Sequence, residues 1–146
     1  MQKITPFLWF DDQAIEAAQF YVSIFKDSRI IDEIDEDDSS ISFELYGQRY
    51  IAFNGGPYFK FTPAISMYVD CEDQSEVDYY WDKLTEGGEE SQCGWLIDKF
   101  GVSWQVVPSI LNEVLNHPDP KKAQKAMDAM LKMKKLDVAA LVAAVK

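Results

Sequence analysis

The chain has 146 residues, of which 47% are hydrophobic, and this is enough to bury the core of one compact domain. The formal net charge is −11; residues 1–120 carry 7 basic and 23 acidic side chains, and residues 121–146 carry 7 basic and 2 acidic ones. An acidic body repels phosphate backbones, so the composition argues against a nucleic-acid partner. No apolar run reaches the roughly 18 residues of a membrane span. The start MQKITPF lacks an export signal, so we expect a cytoplasmic protein without a membrane partner.

The first elements in the chain are a strand and a helix. The apolar run Ile4 to Phe10 is typical of a buried strand, and Asp11 or Asp12 can cap the helix that follows, which has apolar residues at helical spacing up to Phe25. Alternating and apolar stretches then predict three more strands, over residues 29–35, 41–46 and 50–54. The order of elements is βαβββ.

The same order is repeated 59 positions later, where residues 63–84 match residues 4–25 in apolar and aromatic character. We predict a strand over 64–69, a helix over 74–85 that ends at Gly87-Gly88, and strands within 90–97 and 103–107 around the hairpin Asp98–Gly101. A repeat of this length indicates two copies of one unit. We therefore expect an α+β fold in which modules 1–57 and 63–108 share a cleft within a single domain, 1–146.

The tail, about residues 109–146, has a different composition. Asp119 and Pro120 can start a helix that reaches about Lys135, and Asp137 can cap a last helix through Val145. Lysines alternate with alanine, methionine and leucine at helical spacing. The pattern favours an amphipathic helix with a solvated face over a nucleic-acid-binding patch.

Three long segments resemble one known family. They are FNGGPYFKFTPAISMYV at 53–69, GWLIDKFGVSWQVVP at 94–108 and AMDAMLKMKKLDVAAL at 126–141. They are similar to the PhnB-like branch of the vicinal oxygen chelate superfamily, which includes glyoxalases and bleomycin and fosfomycin resistance proteins. The resemblance implies the doubled βαβββ plan and a small organic ligand.

Members of this branch are often labelled 3-demethylubiquinone-9 3-methyltransferase-like. Methyl transfer from S-adenosylmethionine usually relies on a glycine-rich turn from a strand into a helix. The glycine pairs here, Gly55-Gly56 and Gly87-Gly88, follow a predicted strand and a predicted helix respectively. We therefore disfavour methyl transfer.

The resemblance also implies where a metal site would lie. Superfamily enzymes hold a divalent metal with side chains from the first and last strand of each module, and these positions fall on Thr5 or Pro6, Asn54, Ala64 and Gln105. None of them is an imidazole or a carboxylate, the ligands that such metals prefer. We expect no metal and no other cofactor.

Other reactive groups have simpler interpretations. His117, the only histidine, is expected to be exposed, and Cys71 follows a strand beside acidic residues that would raise its thiol pKa. Cys93 has no base near it in sequence, so both cysteines are interpreted as small filler residues. The acidic run 32–38 lacks the glycine turn of a calcium loop and is expected to be a solvated hairpin edge.

Strand alternation predicts the residues of the cleft. The face that holds Thr5 and Gln105 should also hold Phe7, Trp9, Glu44, Tyr50, Asn54, Ser66, Tyr68 and Ser103. We predict ligand binding by Thr5, Phe7, Trp9, Asn54, Ser66, Tyr68 and Gln105. Glu44 is a weak candidate for a general base, and exposure of Glu44 on an outer strand is the favoured alternative.

Three functions remain open at this point. The favoured one is binding of an aromatic or heteroaromatic small molecule without turnover. The alternative is a metal-dependent or Glu44-assisted enzyme of lyase, transferase or dioxygenase type, and the third is a purely structural oligomer. We also expect a homodimer, because such modules usually pair and because the tail carries many apolar side chains, although the tail helices could instead cover their own chain.

Overall fold

The computed structural model describes residues 2–32 and 39–146, which form two compact units, Met1–Phe61 and Thr62–Lys146. The predicted α+β fold with two βαβββ modules is confirmed. Most of the acidic run, and part of the strand predicted over 29–35, lie outside the described residues. In the part of the chain that the structure describes, no helix is both long enough and apolar enough to cross a membrane.

In its described residues, unit 1 consists of one sheet and one helix. Its elements are β1 (Phe7–Phe10), α1 (Ala14–Ile24), β2 (Arg29–Ile30), β3 (Ser40–Leu45) and β4 (Gln48–Asn54). Within the described residues the strands form a four-stranded sheet in the order β1-β4-β3-β2. β1 runs parallel to β4, whereas β4, β3 and β2 are joined in antiparallel fashion.

The core of unit 1 lies between α1 and one face of the sheet. The helix side is made largely of alanines, Ala14, Ala17 and Ala18, which are fully buried and allow the helix backbone to approach the strands closely. The sheet contributes large apolar side chains, Leu8, Phe10, Ile41 and Phe43. Burial of each of these large side chains contributes about 1.5–3 kcal/mol.

The first turn of α1 is capped from a distant strand. Gln13 precedes the helix, and its side chain makes no capping hydrogen bond. Instead, the side-chain oxygen of Asn54 accepts a hydrogen bond of 2.8 Å from the backbone N–H of Ala14. The predicted capping by Asp11 or Asp12 is therefore wrong, because the last residue of β4 occupies the position of the cap.

Unit 2 repeats this arrangement and adds three helices. Its elements are β5 (Met67–Cys71), α2 (Gln74–Thr85), β6 (Glu89–Glu90), β7 (Trp95–Ile97), β8 (Ser103–Pro108), α3 (Ile110–Leu115), α4 (Pro120–Leu131) and α5 (Val138–Ala144). Its four-stranded sheet has the order β5-β8-β7-β6, with β5 parallel to β8. The helix predicted over 74–85 has the bounds of α2, whereas β5 starts three residues later than predicted.

The hairpin between β7 and β8 is closed by a buried carboxylate. Asp98 is 3% exposed and accepts hydrogen bonds from the backbone N–H groups of Phe100 and Val102 and from the indole of Trp104. Gly101 has a φ of +92°, as the predicted hairpin requires. The sequence indicated the turn but did not reveal the role of Asp98.

The tail helices pack mainly on each other and on the end of β8. Their apolar cluster contains Val107, Leu111, Val114, Ala126, Leu136 and Leu141. Asp119 and Asp137 cap α4 and α5 as predicted, but α4 ends at Leu131 rather than near Lys135, and α3 was not predicted.

The segment that leads into α5 is anchored to the body of unit 2. The carboxamide of Gln74 donates to the carbonyl of Leu136 at 3.1 Å and accepts from the N–H of Val138 at 2.7 Å. Lys135 forms an ion pair of 2.9 Å with Asp78 on α2. The tail therefore covers its own unit, which was one of the two alternatives for it.

Candidate functional site

The face of the first sheet that is turned away from α1 is aromatic. The register places Phe7 opposite Ile51 and Trp9 opposite Phe53 on this face. The ring of Trp9 lies edge-on to Phe53, with centroids 5.1 Å apart, and edge-on to Phe59 at 4.9 Å. Phe7 is 55% exposed and Phe59 is 66% exposed, so a large part of this aromatic face is open to solvent.

Trp9 is held in place by the glycines that follow β4. Its indole nitrogen donates a hydrogen bond of 3.0 Å to the carbonyl oxygen of Gly56. A Cβ atom at Gly55 would overlap the indole ring of Trp9 and would lie 2.7 Å from the ring of Phe53. Glycine at position 55 therefore allows the indole to lie flat against the backbone, so the aromatic face is preorganised.

Two residues predicted for this face lie on the opposite one. Tyr50 stacks on Phe43 with ring centroids 5.3 Å apart, and Asn54 caps α1. The predicted grouping of Tyr50 and Asn54 with Trp9 is wrong, because the parallel register sets Trp9 opposite Phe53 rather than Asn54. Burial beside the core raises the pKa of the Tyr50 phenol.

The corresponding face of the second sheet combines aromatic and amide groups. Gln105 on β8 lies opposite Tyr68 on β5 and opposite Trp95 on β7. We call these three residues the Gln105 row. Tyr68 is 53% exposed, and Gln105 and Trp95 are half-buried. The row thus offers two aromatic side chains on either side of a carboxamide.

Two polar groups lie next to the Gln105 row. The Gln105 side chain donates a hydrogen bond of 3.0 Å from Nε2 to Ser66 Oγ. Ser103, two residues before Gln105 on the same face of β8, is 2% exposed, and its hydroxyl has no hydrogen-bond partner within the described residues. A buried hydroxyl without a partner costs about 1–3 kcal/mol, which a bound water or ligand would recover.

The two sheets can be compared position by position. Trp9 pairs with Phe53 as Tyr68 pairs with Gln105, so Phe53 rather than Asn54 is the counterpart of Gln105. The implied metal positions therefore hold Thr5, Phe53, Ala64 and Gln105. Neither pair fits a divalent transition metal: Phe53 and Ala64 offer no side-chain donor, and the Thr5 hydroxyl and the Gln105 amide oxygen are neutral ligands that do not replace an imidazole or a carboxylate.

The remaining acidic and basic groups provide no alternative metal site in the described ranges 2–32 and 39–146. No three His, Cys, Asp or Glu side chains come together there in a group that could hold a metal ion. Glu44, the weak candidate for a general base, is half-buried on β3 and forms an ion pair of 3.1 Å with Arg29. Thr5 is half-buried just before β1, and Ala64 is exposed before β5.

The two cysteines and the histidine lie apart from both open faces. Cys71 is fully buried, and burial, followed by the nearby carboxylate of Glu76, raises the pKa of its thiol to about 12. Cys93 is half-buried, and its backbone N–H donates to the carbonyl of Met133. His117 is half-buried rather than exposed, and its Nδ1 accepts a hydrogen bond of 3.0 Å from the backbone of Asp119.

Sequence reasoning missed three aromatic residues on these faces, Phe53, Phe59 and Trp95. A signal existed for Trp95: counting back from the Asp98–Gly101 hairpin sets Ile97 opposite Ser103 and therefore Trp95 opposite Gln105. The positions of Phe53 and Phe59 carry no such local signal. They depend on the parallel pairing of β1 with β4 and on the path of the loop after β4.

Comparisons with known proteins agree with this architecture. A family model described as 3-demethylubiquinone-9 3-methyltransferase matches residues 2–107. Among solved structures, a PhnB protein from Bacillus cereus is 36% identical, with a TM-score of 0.67, over 74% of this chain and 100% of the other. None of the curated proteins matches.

Two more distant structures show the fold alone. A protein from Pseudomonas aeruginosa is 19% identical, with a TM-score of 0.60, over 74% of this chain and 98% of the other. The genomically encoded fosfomycin resistance protein from Listeria monocytogenes is 16% identical, with a TM-score of 0.55, over 77% of this chain and 97% of the other. The family model and the structure from Bacillus cereus show that the chain belongs to the 3-demethylubiquinone-9 3-methyltransferase family, the PhnB-like branch of the vicinal oxygen chelate superfamily.

Proposed function

We propose that this protein binds an aromatic or heteroaromatic small molecule without the help of a metal ion. The observation that carries the proposal is the exposed, preorganised aromatic face formed by Phe7, Trp9, Phe53 and Phe59. Mixed apolar walls and a few polar groups are typical of small-molecule sites. The ligand-binding roles of Thr5, Ser66, Tyr68 and Gln105 remain part of the proposal, and Phe53, Phe59 and Trp95 join them.

The geometry of Trp9 supports this function energetically. The indole is fixed by its hydrogen bond to Gly56 and by its contact with Gly55, so little side-chain entropy is lost when a ring packs on it. Aromatic pairs of this kind contribute about 0.5–1.5 kcal/mol beyond the burial of their area. Several such contacts suffice for a ligand of moderate affinity.

Catalysis by Glu44 receives less support. Both oxygens of the carboxylate face the guanidinium of Arg29, at 3.1 and 3.4 Å, so they are committed to an ion pair. The metal-dependent form of the enzyme alternative would need a metal, and the residues at the implied metal positions do not fit one. Binding without turnover is therefore the function that these residues favour.

The family description does not by itself supply a methyl-transfer site. Gly55-Gly56 follows β4 and leads into an irregular segment, and Gly87-Gly88 follows α2. In the described residues neither pair opens a helix, where a glycine-rich turn would approach the cofactor. We therefore propose binding rather than methyl transfer as the activity.

The test is a ligand screen on the full chain, read by thermal shift and confirmed by calorimetry. Trp9→Ala should weaken binding of any hit by about tenfold or more, since it removes the centre of the aromatic face. The matched control is Tyr79→Ala, which removes an aromatic side chain that is 43% exposed on α2. A hit that binds both variants equally well would refute the assignment of the site.

We also propose a cytoplasmic homodimer. Among the large apolar side chains of α4, Met127 is 36% exposed and Leu131 is 57% exposed, whereas Met130 packs against the tail cluster. The basic tail and the acidic remainder of a second copy carry opposite charge, which favours association. Light scattering of the wild type and of the double variant Met127→Lys, Leu131→Lys tests this proposal. A wild-type mass of 16.7 kDa refutes the dimer. A dimer that is unchanged in the variant shows that these two side chains do not lie in the interface.

A further inference from the structure

The Gln105 row has the dimensions of a planar ring system. Tyr68, Gln105 and Trp95 lie on three adjacent strands and on the same face of the sheet. Because neighbouring strands are about 4.8 Å apart, the outer positions of the row are separated by about 10 Å. Two or three fused rings span this length, and the aromatic side chains at its ends can contact them.

The hydrogen bonds of Gln105 define what kind of polar group it can receive. Its Nε2 donates to Ser66 Oγ at 3.0 Å, which orients the carboxamide and leaves Oε1 as an acceptor. A ligand N–H in the plane of the ring can donate to this oxygen. The Ser103 hydroxyl on the same face is buried and lacks a partner within the described residues, so this part of the sheet contains a second polar group that a ligand or its bound water can satisfy.

The charges on this face select between ligands. The register assigns to it Tyr68, Asp70, Glu89, Trp95, Ile97, Ser103, Gln105 and Val107. Asp70 and Glu89 are acidic, and none of these residues is basic. Burial and, to a lesser extent, the nearby Asp70 carboxylate raise the pKa of the Tyr68 phenol. The carboxylates of Asp70 and Glu89 on this face oppose an anionic ligand and favour a cationic one.

We propose that the Gln105 row is a subsite for a planar, protonated nitrogen heterocycle. The ring N–H donates to Gln105 Oε1, the ring contacts Tyr68 and Trp95, and the positive charge is stabilised by Asp70 and by the faces of the aromatic rings. This inference rests on the proposed function and deepens it by specifying the charge and the polar edge of the ligand. It assigns the charge selection to the Gln105 row of unit 2.

The test uses three tricyclic probes of similar shape: proflavine, which is a cation at neutral pH, acridone, which is neutral, and anthracene carboxylate, which is an anion. Calorimetric titration of the full chain should rank proflavine first, and anthracene carboxylate at least about tenfold weaker. Higher salt should reduce this difference, because exposed charges are screened.

Variants separate the charge of the subsite from its hydrogen bond. Asp70→Asn keeps an oxygen that can accept from Ser109 Oγ, so it should weaken proflavine severalfold without changing acridone. Gln105→Leu should weaken both probes that carry a ring N–H. Ser66→Ala frees the Gln105 amide to rotate and should weaken the same two probes more mildly, so it serves as the test if Gln105→Leu fails to fold. Tyr79→Ala on α2 is the control.

The outcomes distinguish this inference from the proposed function. Equal or tighter binding of the anion, or a preference for proflavine over acridone that is unchanged in Asp70→Asn, overturns the charge-selective subsite and leaves binding at Trp9 intact. Binding of none of the three probes also overturns it, even if the wider screen yields a Trp9-dependent ligand. Loss of Trp9 dependence in that screen overturns the proposed function itself.

Discussion

The indole nitrogen of Trp104 donates a hydrogen bond of 2.8 Å to the carboxylate of Asp98, and both side chains are buried in unit 2. The same carboxylate accepts two backbone hydrogen bonds from the hairpin that joins β7 to β8. This contact fixes the turn relative to β8 and therefore fixes the register that places Trp95 beside Gln105.

Asp98→Ala should reduce the free energy of unfolding by about 2–4 kcal/mol, because it leaves several buried donors without an acceptor. Asp98→Asn keeps one acceptor oxygen and should cost less. Urea denaturation measures both values, and a double-mutant cycle with Trp104→Phe isolates the contribution of the indole. A loss below about 0.5 kcal/mol for Asp98→Ala would show that the carboxylate does not stabilise the hairpin.

Asn54→Ala should destabilise the protein by about 1 kcal/mol, since it removes the cap of α1. Asn54→Asp retains an acceptor for the N–H of Ala14 and should be nearly neutral. Gln13→Ala is the matched control, because the Gln13 side chain makes no capping hydrogen bond. Equal losses for Asn54→Ala and Gln13→Ala in thermal or urea unfolding would contradict the assignment of the cap.

Gly55→Ala should displace Trp9 and cost about 1–3 kcal/mol, because the new methyl group overlaps the indole. Near-ultraviolet circular dichroism should report the change in the environment of the indole. In a Trp9→Ala background the same substitution should cost less, since the overlapping indole is absent and only the 2.7 Å approach to Phe53 remains. An equal cost in both backgrounds would show that overlap with Trp9 is not the origin of the effect.

Cys71 should make stability depend on pH in the alkaline range. Its thiol pKa rises from 9.0 to about 12 in the folded protein, chiefly through burial, so the folded state keeps its proton where the unfolded state has lost it. The Cys71 thiol therefore has no effect on the free energy of unfolding below about pH 9, lowers it as the pH rises above that value, and has a constant effect beyond about pH 12. Unfolding of Cys71→Ala at several alkaline pH values should show a smaller fall than that of the wild type.

The purified protein should contain no stoichiometric zinc, nickel, manganese or iron at the position that the superfamily uses. The Phe53 and Ala64 side chains offer no ligand atom there, and the Thr5 hydroxyl and the Gln105 amide oxygen are neutral donors that do not replace an imidazole or a carboxylate. Elemental analysis by mass spectrometry provides the measurement. One equivalent of tightly bound metal that disappears in Gln105→Leu would contradict the prediction.

Local patterns in the sequence determined the elements and their order. The repeat identified both modules, the alternation of apolar residues identified most of the strands, and Asp119 and Asp137 marked helix starts because such caps act within one turn. The hairpin Asp98–Gly101 was recognisable because glycine is favoured at a positive φ. The position of Trp95 could have been counted from this turn.

Only the tertiary structure decided which residues share a face. A parallel pair of strands is joined by a long connection, so no turn specifies its register, and a shift of one residue exchanges the two faces. Because Trp9 pairs with Phe53, Asn54 lies on the opposite face from the predicted site and caps α1. The tail was ambiguous in the sequence because its apolar side chains could pack either on a partner or on their own chain. Contacts between residues distant in sequence, such as Gln74 with Leu136, show that most of them pack on unit 2.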